Sequence, residues 1–119
     1  MKILALSTDQ ELNALREFAL RAAGHHVNLV NTEKEAVAAA GAKAAYDVVL
    51  LCHKLPASTG RQVVRLLRQN QPNTTVVFIS HLYGEWPEVE ADRYIVGADG
   101  PEAITRVLEE VAGAAAANA

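Results

Sequence analysis

The sequence predicts an α/β fold, a doubly wound parallel sheet of five strands with helices on both faces. Three observations carry this. Five short apolar runs are spread along the chain: Ile3 to Leu6, Val27 to Val30, Val48 to Leu51, Thr75 to Ile79 and Tyr94 to Val96. Runs this short and rich in branched side chains suit strands buried on both faces of a parallel sheet. Helical patterns fill the gaps, and right-handed strand–helix–strand crossovers put helices on both sides. Finally, 119 residues, half of them hydrophobic, suit one domain with one core.

Each element has readable ends. Thr8-Asp9-Gln10-Glu11 reads as a capping box for the first helix, in which Leu12, Leu15 and Ala19 recur at helical spacing before Gly24 supplies a stop. His25 and His26 fall in the following turn, as solvated loop residues. Thr32-Glu33-Lys34-Glu35 is a second capping box, and Thr59-Gly60-Arg61-Gln62 a candidate third. Arg61, Arg65 and Arg68 then form a stripe expected to be a solvated helix face. Between Ser80 and Tyr94, Trp86-Pro87 interrupts the pattern, so the fourth helix of the fold is expected to be shortened or missing. Gly100-Pro101-Glu102 starts the last helix, with Ile104, Val107, Leu108 and Val111 as its buried stripe. The domain is expected over residues 1–112, with 113–119 an alanine-rich tail or linker stub.

Composition narrows the function classes. A formal net charge of -3 argues against a nucleic-acid surface. The single cysteine, Cys52, excludes an internal disulfide. No apolar run is long enough to cross a bilayer, and the N-terminus lacks the long apolar stretch of a secretory signal. A cytoplasmic protein without membrane contact is the expectation.

In an open α/β sheet, ligands bind beyond the carboxyl ends of the strands. That edge should hold Ser7, Thr8 and Asp9, then Cys52, His53 and Lys54, then Ser80 and His81, then Gly97, Ala98 and Asp99. These residues make a poor active site. A hard cation wants several carboxylate or carbonyl oxygens, and Asp9 is the one obvious acid. Asp47 opens the third strand, about 16 Å from Cys52 at the rise of an extended chain. There is no glycine-rich phosphate loop and no serine–histidine–acid set. A zinc site on Cys52, His53 and His81 is disfavoured, because neighbours on a strand point to opposite faces and Cys52 and His53 converge only if the strand has already ended. No metal or cofactor is implied.

Taken in order, the segments resemble a response-regulator receiver domain of the CheY-like, flavodoxin-like kind. Lys2 to Asp9 is similar to the opening strand. Tyr46-Asp47-Val48-Val49-Leu50-Leu51 resembles the strand leading to the phosphoacceptor aspartate, and Leu55-Pro56-Ala57-Ser58-Thr59-Gly60 the loop after it. Val76-Val77-Phe78-Ile79-Ser80 resembles the strand ending in the switch hydroxyl, and Tyr94-Ile95-Val96 the strand leading to a lysine. The resemblance covers nearly the whole chain and implies the strand order 2-1-3-4-5.

It also implies what is missing. Ser7 and Thr8 stand where metal-binding acids belong, Cys52 where the phosphorylated aspartate belongs, and Gly97 and Ala98 where a lysine–proline pair belongs; Ser80 keeps its expected hydroxyl. A thiol forms no acyl phosphate and is a soft ligand, poorly matched to magnesium. Ser7, Thr8, Asp9, Cys52, Lys54, Ser80 and Gly97 thus form a degenerate phosphorylation pocket. The implied function is that of an atypical receiver, or pseudo-receiver, in two-component or phosphorelay-related signal transduction. It would be a protein-binding domain rather than an enzyme. Its partner would be a histidine kinase, an output domain or another receiver, with a homodimer left open. Leu82, Tyr83, Trp86 and Tyr94 are the candidate contact surface. Two rivals remain: a redox or metal sensor built on Cys52, and a phosphorelay receiver with an unexpected acceptor such as Asp9.

Overall fold

A computed structural model describes residues 1–43, 46–81 and 89–117. The elements run β1 (Lys2–Leu6), α1 (Gln10–Ala22), β2 (His26–Val30), α2 (Glu33–Gly41), β3 (Val48–Cys52), α3 (Ala57–Asn70), β4 (Thr75–Ser80), β5 (Arg93–Val96), a 3₁₀ turn (Gly97–Asp99) and α4 (Pro101–Ala117). The strands form one parallel sheet in the order β2-β1-β3-β4-β5. This is the doubly wound topology that the apolar runs predict.

Alternation along the central strands divides the core in two. Leu4, Leu6, Val49, Leu51, Val76 and Phe78 face α2 and α3, meeting Ala36, Ala40, Val63 and Leu67. Ile3, Ala5, Val48, Leu50, Val77 and Ile79 face the other way, meeting Leu20 of α1 and Ile104, Val107, Leu108 and Val111 of α4. Every residue of β3 is buried, as the centre of a sheet covered on both faces requires. The buried stripe expected on the last helix is therefore observed. That helix continues through Gly113 to Ala117, so most of the alanine-rich segment prolongs it.

The helix ends agree with the sequence in part. Thr32 caps α2, its hydroxyl accepting from the Glu35 amide and donating to Glu35 Oε1. Gly24 ends α1 at φ +91°, a left-handed geometry that favours glycine, and the His25 amide reaches back to Leu20 O. Two expectations need correction. Asp9, not Thr8, caps α1, its carboxylate accepting from the Leu12 amide at 3.0 Å. The Thr8 hydroxyl instead donates to Lys54 O. The third helix begins at Ala57, so Thr59 lies inside its first turn, and its hydroxyl donates to Glu33 Oε1.

The face of α1 is the largest correction. Asn13, Arg16 and Leu20 are its buried residues, whereas Leu15 is 69% exposed. Asn13 is fully buried because its side-chain amide has partners: it donates towards Ala5 O, Val30 O and Asn31 Oδ1. These bonds of the NH₂ group tie the ends of β1 and β2 to α1, while Asn13 Oδ1 is buried without a partner among the described residues. Arg68 also departs from a purely solvated stripe. It makes a two-pronged ion pair with Asp92, both contacts 3.0 Å, and Asp92 Oδ2 also accepts from the Val76 amide. This pins the approach to β5 onto α3 and β4. The expected truncation of the fourth helix falls on residues 82–88, outside the described residues.

Candidate functional site

The parallel register brings the ends of β1, β3, β4 and β5 to one edge. Leu6 pairs with Leu51, Cys52 with Ile79, and Ser80 with Val96. The seven residues assigned to the degenerate pocket therefore gather around this edge. Ser7 is buried, and its Oγ accepts from the Asp9 amide at 3.1 Å. Thr8 is exposed and tied to the Lys54 carbonyl at 2.8 Å. Both hydroxyls thus hold the two loops in place. Asp9 is half-buried, with Oδ1 engaged in capping.

Cys52 ends β3 with no exposed surface. Ser80, at the end of β4, is also buried. Gly97 is exposed, and a side chain there would meet Ser80 O at 3.4 Å and Ile79 Cγ2 at 3.7 Å, ordinary contact distances. The packing thus accommodates a Cβ at position 97. Among the described residues, no group of three or more histidines, cysteines, aspartates or glutamates could hold a metal ion.

The strand ends at Cys52 and the chain turns there, which is the condition under which Cys52 and His53 converge. His53 no longer points away from its neighbour: its Nδ1 lies 3.7 Å from Cys52 Sγ and 3.2 Å from Ile79 O. A carbonyl only accepts, so Nδ1 carries the proton. His53 also packs against His81, with ring centroids 5.2 Å apart and the planes tilted by 35°. Burial holds its pKa below the ordinary value of 6.5, with smaller contributions from His81, Lys54 and Arg16 against the raising effect of the Ile79 bond. A neutral imidazole of this tautomer neither removes the Cys52 proton through Nδ1 nor supplies the cation that stabilises a thiolate.

His25 is lowered too, by burial first and then by the Met1 ammonium, 3.0 Å from its Nδ1. It is therefore a bonded residue rather than a loosely solvated one. Both shifts have the same consequence. Near pH 6.5 the unfolded chain takes up protons that the folded chain resists, so stability falls as the pH drops through that region. The urea midpoint should be lower at about pH 5.5 than at about pH 7.5, and His53→Gln should reduce the difference. An unchanged or rising midpoint on acidification would contradict these assignments.

Beside this edge, α1 and α4 flank an apolar groove of about 670 Å³. Leu12, Leu15 and Ala19 line one wall, Ile104 and Thr105 the other, and Ile79 and Ile95 the floor. Arg16, His53, Lys54 and His81 also line it. The stripe that periodicity picked out on α1 thus faces this groove. Arg16 had no signal in the sequence beyond its place on that helix. Of the expected contact surface, Leu82, Tyr83 and Trp86 lie outside the described residues. Tyr94 is 41% exposed, and its hydroxyl donates to Val89 O and accepts from the Ala91 amide.

No family model matches the sequence, and no curated protein matches it. Solved structures do. The Vibrio cholerae chemotaxis protein CheY4 is 25% identical with a TM-score of 0.77, over 92% of this chain and 97% of that one. The structural neighbours are receiver domains. The response regulator TrrA, solved in complex with the histidine kinase ThkA, gives an 18% identical match at TM-score 0.75, over 92% of this chain and 97% of the matched chain. A protein from a family of streptococcal redox sensors evolved from two-component response regulators is 21% identical at TM-score 0.77. There the match covers 92% of this chain and 50% of that one. The receiver fold is thus shown, and among the described residues no helix is long and apolar enough to cross a membrane.

Proposed function

We propose that this chain is an atypical receiver that acts in signal transduction by binding another protein, without forming an aspartyl phosphate. The observation that carries the proposal is Cys52. It occupies the end of the central strand, where the resemblance expects the phosphoacceptor, and it is wholly buried. Its surroundings support the same reading. Ser7 and Thr8 offer hydroxyls engaged with local backbone, and Asp9 is committed to a helix end. Phosphoryl transfer relies on a metal and cations that neutralise charge on the moving group. One engaged carboxylate makes a weak seat for magnesium. A binding domain rather than an enzyme follows.

A protein partner is favoured because receivers work by contact and a structural neighbour is recorded with a histidine kinase. The candidates are a kinase, an output domain or another receiver, including a second copy of this chain. Tyr94 is the described residue of the expected contact surface. The test is a magnesium titration followed by amide NMR. We expect no saturable shifts at Ser7, Asp9 and Cys52 up to about 20 mM, well above the 10⁻⁴–10⁻³ M range of even weak divalent-cation sites. Saturable shifts centred on Asp9 would favour the rival reading of a phosphorelay receiver with a different acceptor.

One observation favours a second reading. The streptococcal neighbour is described as a redox sensor, and Cys52 lies beside an imidazole. Redox sensing needs a thiol that is exposed and ionised. Cys52 is buried, and His53 is held in its neutral form, so the interaction-only reading is preferred.

A further inference from the structure

The groove between α1 and α4 has the size and the charge pattern of a ligand site. Its volume, about 670 Å³, lies within the range of roughly 300–1,000 Å³ common for small-molecule pockets. Its walls are mainly aliphatic, and α1 turns Leu15 into it at the expense of the sheet. A second, independent feature is Arg16. It is only 8% exposed and lines the same groove, yet no hydrogen bond or ion pair engages its guanidinium among the described residues. Its nitrogens keep some contact with solvent, and a guanidinium stays charged and is suited to an anionic partner. The carboxylate in the same wall, Asp9, spends Oδ1 on the Leu12 amide and makes no ion pair with Arg16. Lys54 also lines the groove, its charge offset by the Asp9 carboxylate in the same lining, and His53 and His81 offer ring nitrogens there.

We propose that this groove binds a small amphipathic monocarboxylate, with its apolar body between Leu15 and Ile104 and its carboxylate on Arg16. A planar guanidinium matches a carboxylate in two parallel hydrogen bonds. A single unpaired guanidinium calls for a single negative charge, and the aliphatic walls call for an alkyl or aryl body. The groove shares Asp9, Lys54 and Gly97 with the sheet-edge pocket, but ligand binding there needs neither phosphorylation nor a protein partner and so goes beyond the function proposed above.

The test uses the full chain and two ten-carbon probes, decanoate and 1-decanol, in calorimetric titrations below the onset of micelles. We expect saturable one-to-one binding of decanoate, at least tenfold tighter than decanol. Arg16→Met should abolish that preference by weakening decanoate alone. Leu15→Asp, at an exposed position that tolerates polarity, should weaken both probes. The wild-type comparison stands even if a variant misfolds. Absence of saturable decanoate binding, equal affinity for the two probes, a preference retained in folded Arg16→Met, or binding indifferent to Leu15→Asp would each overturn the proposal.

Discussion

Placing an aspartate at position 52 should damage the protein and fail to confer phosphorylation. Cys52 is wholly buried, in a strand with neighbours on both sides and helices on both faces. Among the described residues no cluster of metal-ligating side chains stands beside that position to hold a neutralising cation. Cys52→Asp should therefore lose about 3 kcal/mol of stability at neutral pH, the scale of an uncompensated buried charge. The loss has a pH signature. Burial raises the new carboxyl's pKa above its unfolded value, so the penalty is full above the folded pKa and fades as the pH falls through it. Urea unfolding of wild type, Cys52→Asp and the uncharged Cys52→Asn across a pH series checks this. A Cys52→Asp protein as stable as wild type at pH 7, or one stabilised by magnesium, would mean that the pocket still has the electrostatics of a working receiver.

The second large effect concerns the thiol itself. Alkylating reagents reach Cys52 only if the end of β3 opens, because the residue has no accessible surface in the native fold. If that opening costs about 4 kcal/mol or more, native labelling should be on the order of a thousandfold slower than labelling in denaturant. Mass-resolved labelling with iodoacetamide, with and without urea, measures the ratio. Native labelling close to the unfolded rate would show a reachable thiol and bring the redox reading to the front.

Much of this architecture is legible in the sequence because burial on both faces leaves a coarse mark. A strand such as Val48–Cys52 has no polar face, so an apolar run is its direct signature. Gly24 and the last helix are equally local signals. The failures share a cause: they depend on partners far along the chain. Thr8 and Asp9 both have side chains suited to capping, and only the position of the Lys54 carbonyl decides that threonine is drawn elsewhere. Periodicity selects Leu12, Leu15 and Ala19 on α1, yet Asn13 turns inward, where backbone carbonyls at the ends of β1 and β2 accept from its NH₂ group. The approach of His53 to Cys52 likewise depends on a turn that the run Leu51-Cys52-His53 does not announce.

The same reasoning separates the scaffold from the site. The positions at the sheet edge were readable in advance, since parallel α/β topology alone puts the ends of β1, β3, β4 and β5 together. The groove beside them was not. It exists because α1 directs an aliphatic stripe towards α4 and buries an arginine there, a choice visible only once both helices are seated.

The most direct test of the central claim is the intact mass of the protein after incubation with magnesium and acetyl phosphate, beside a competent receiver as control. The account predicts an unchanged mass while the control gains one phosphoryl group. A stoichiometric, magnesium-dependent phosphoryl adduct would contradict it, and the modified residue would identify the acceptor.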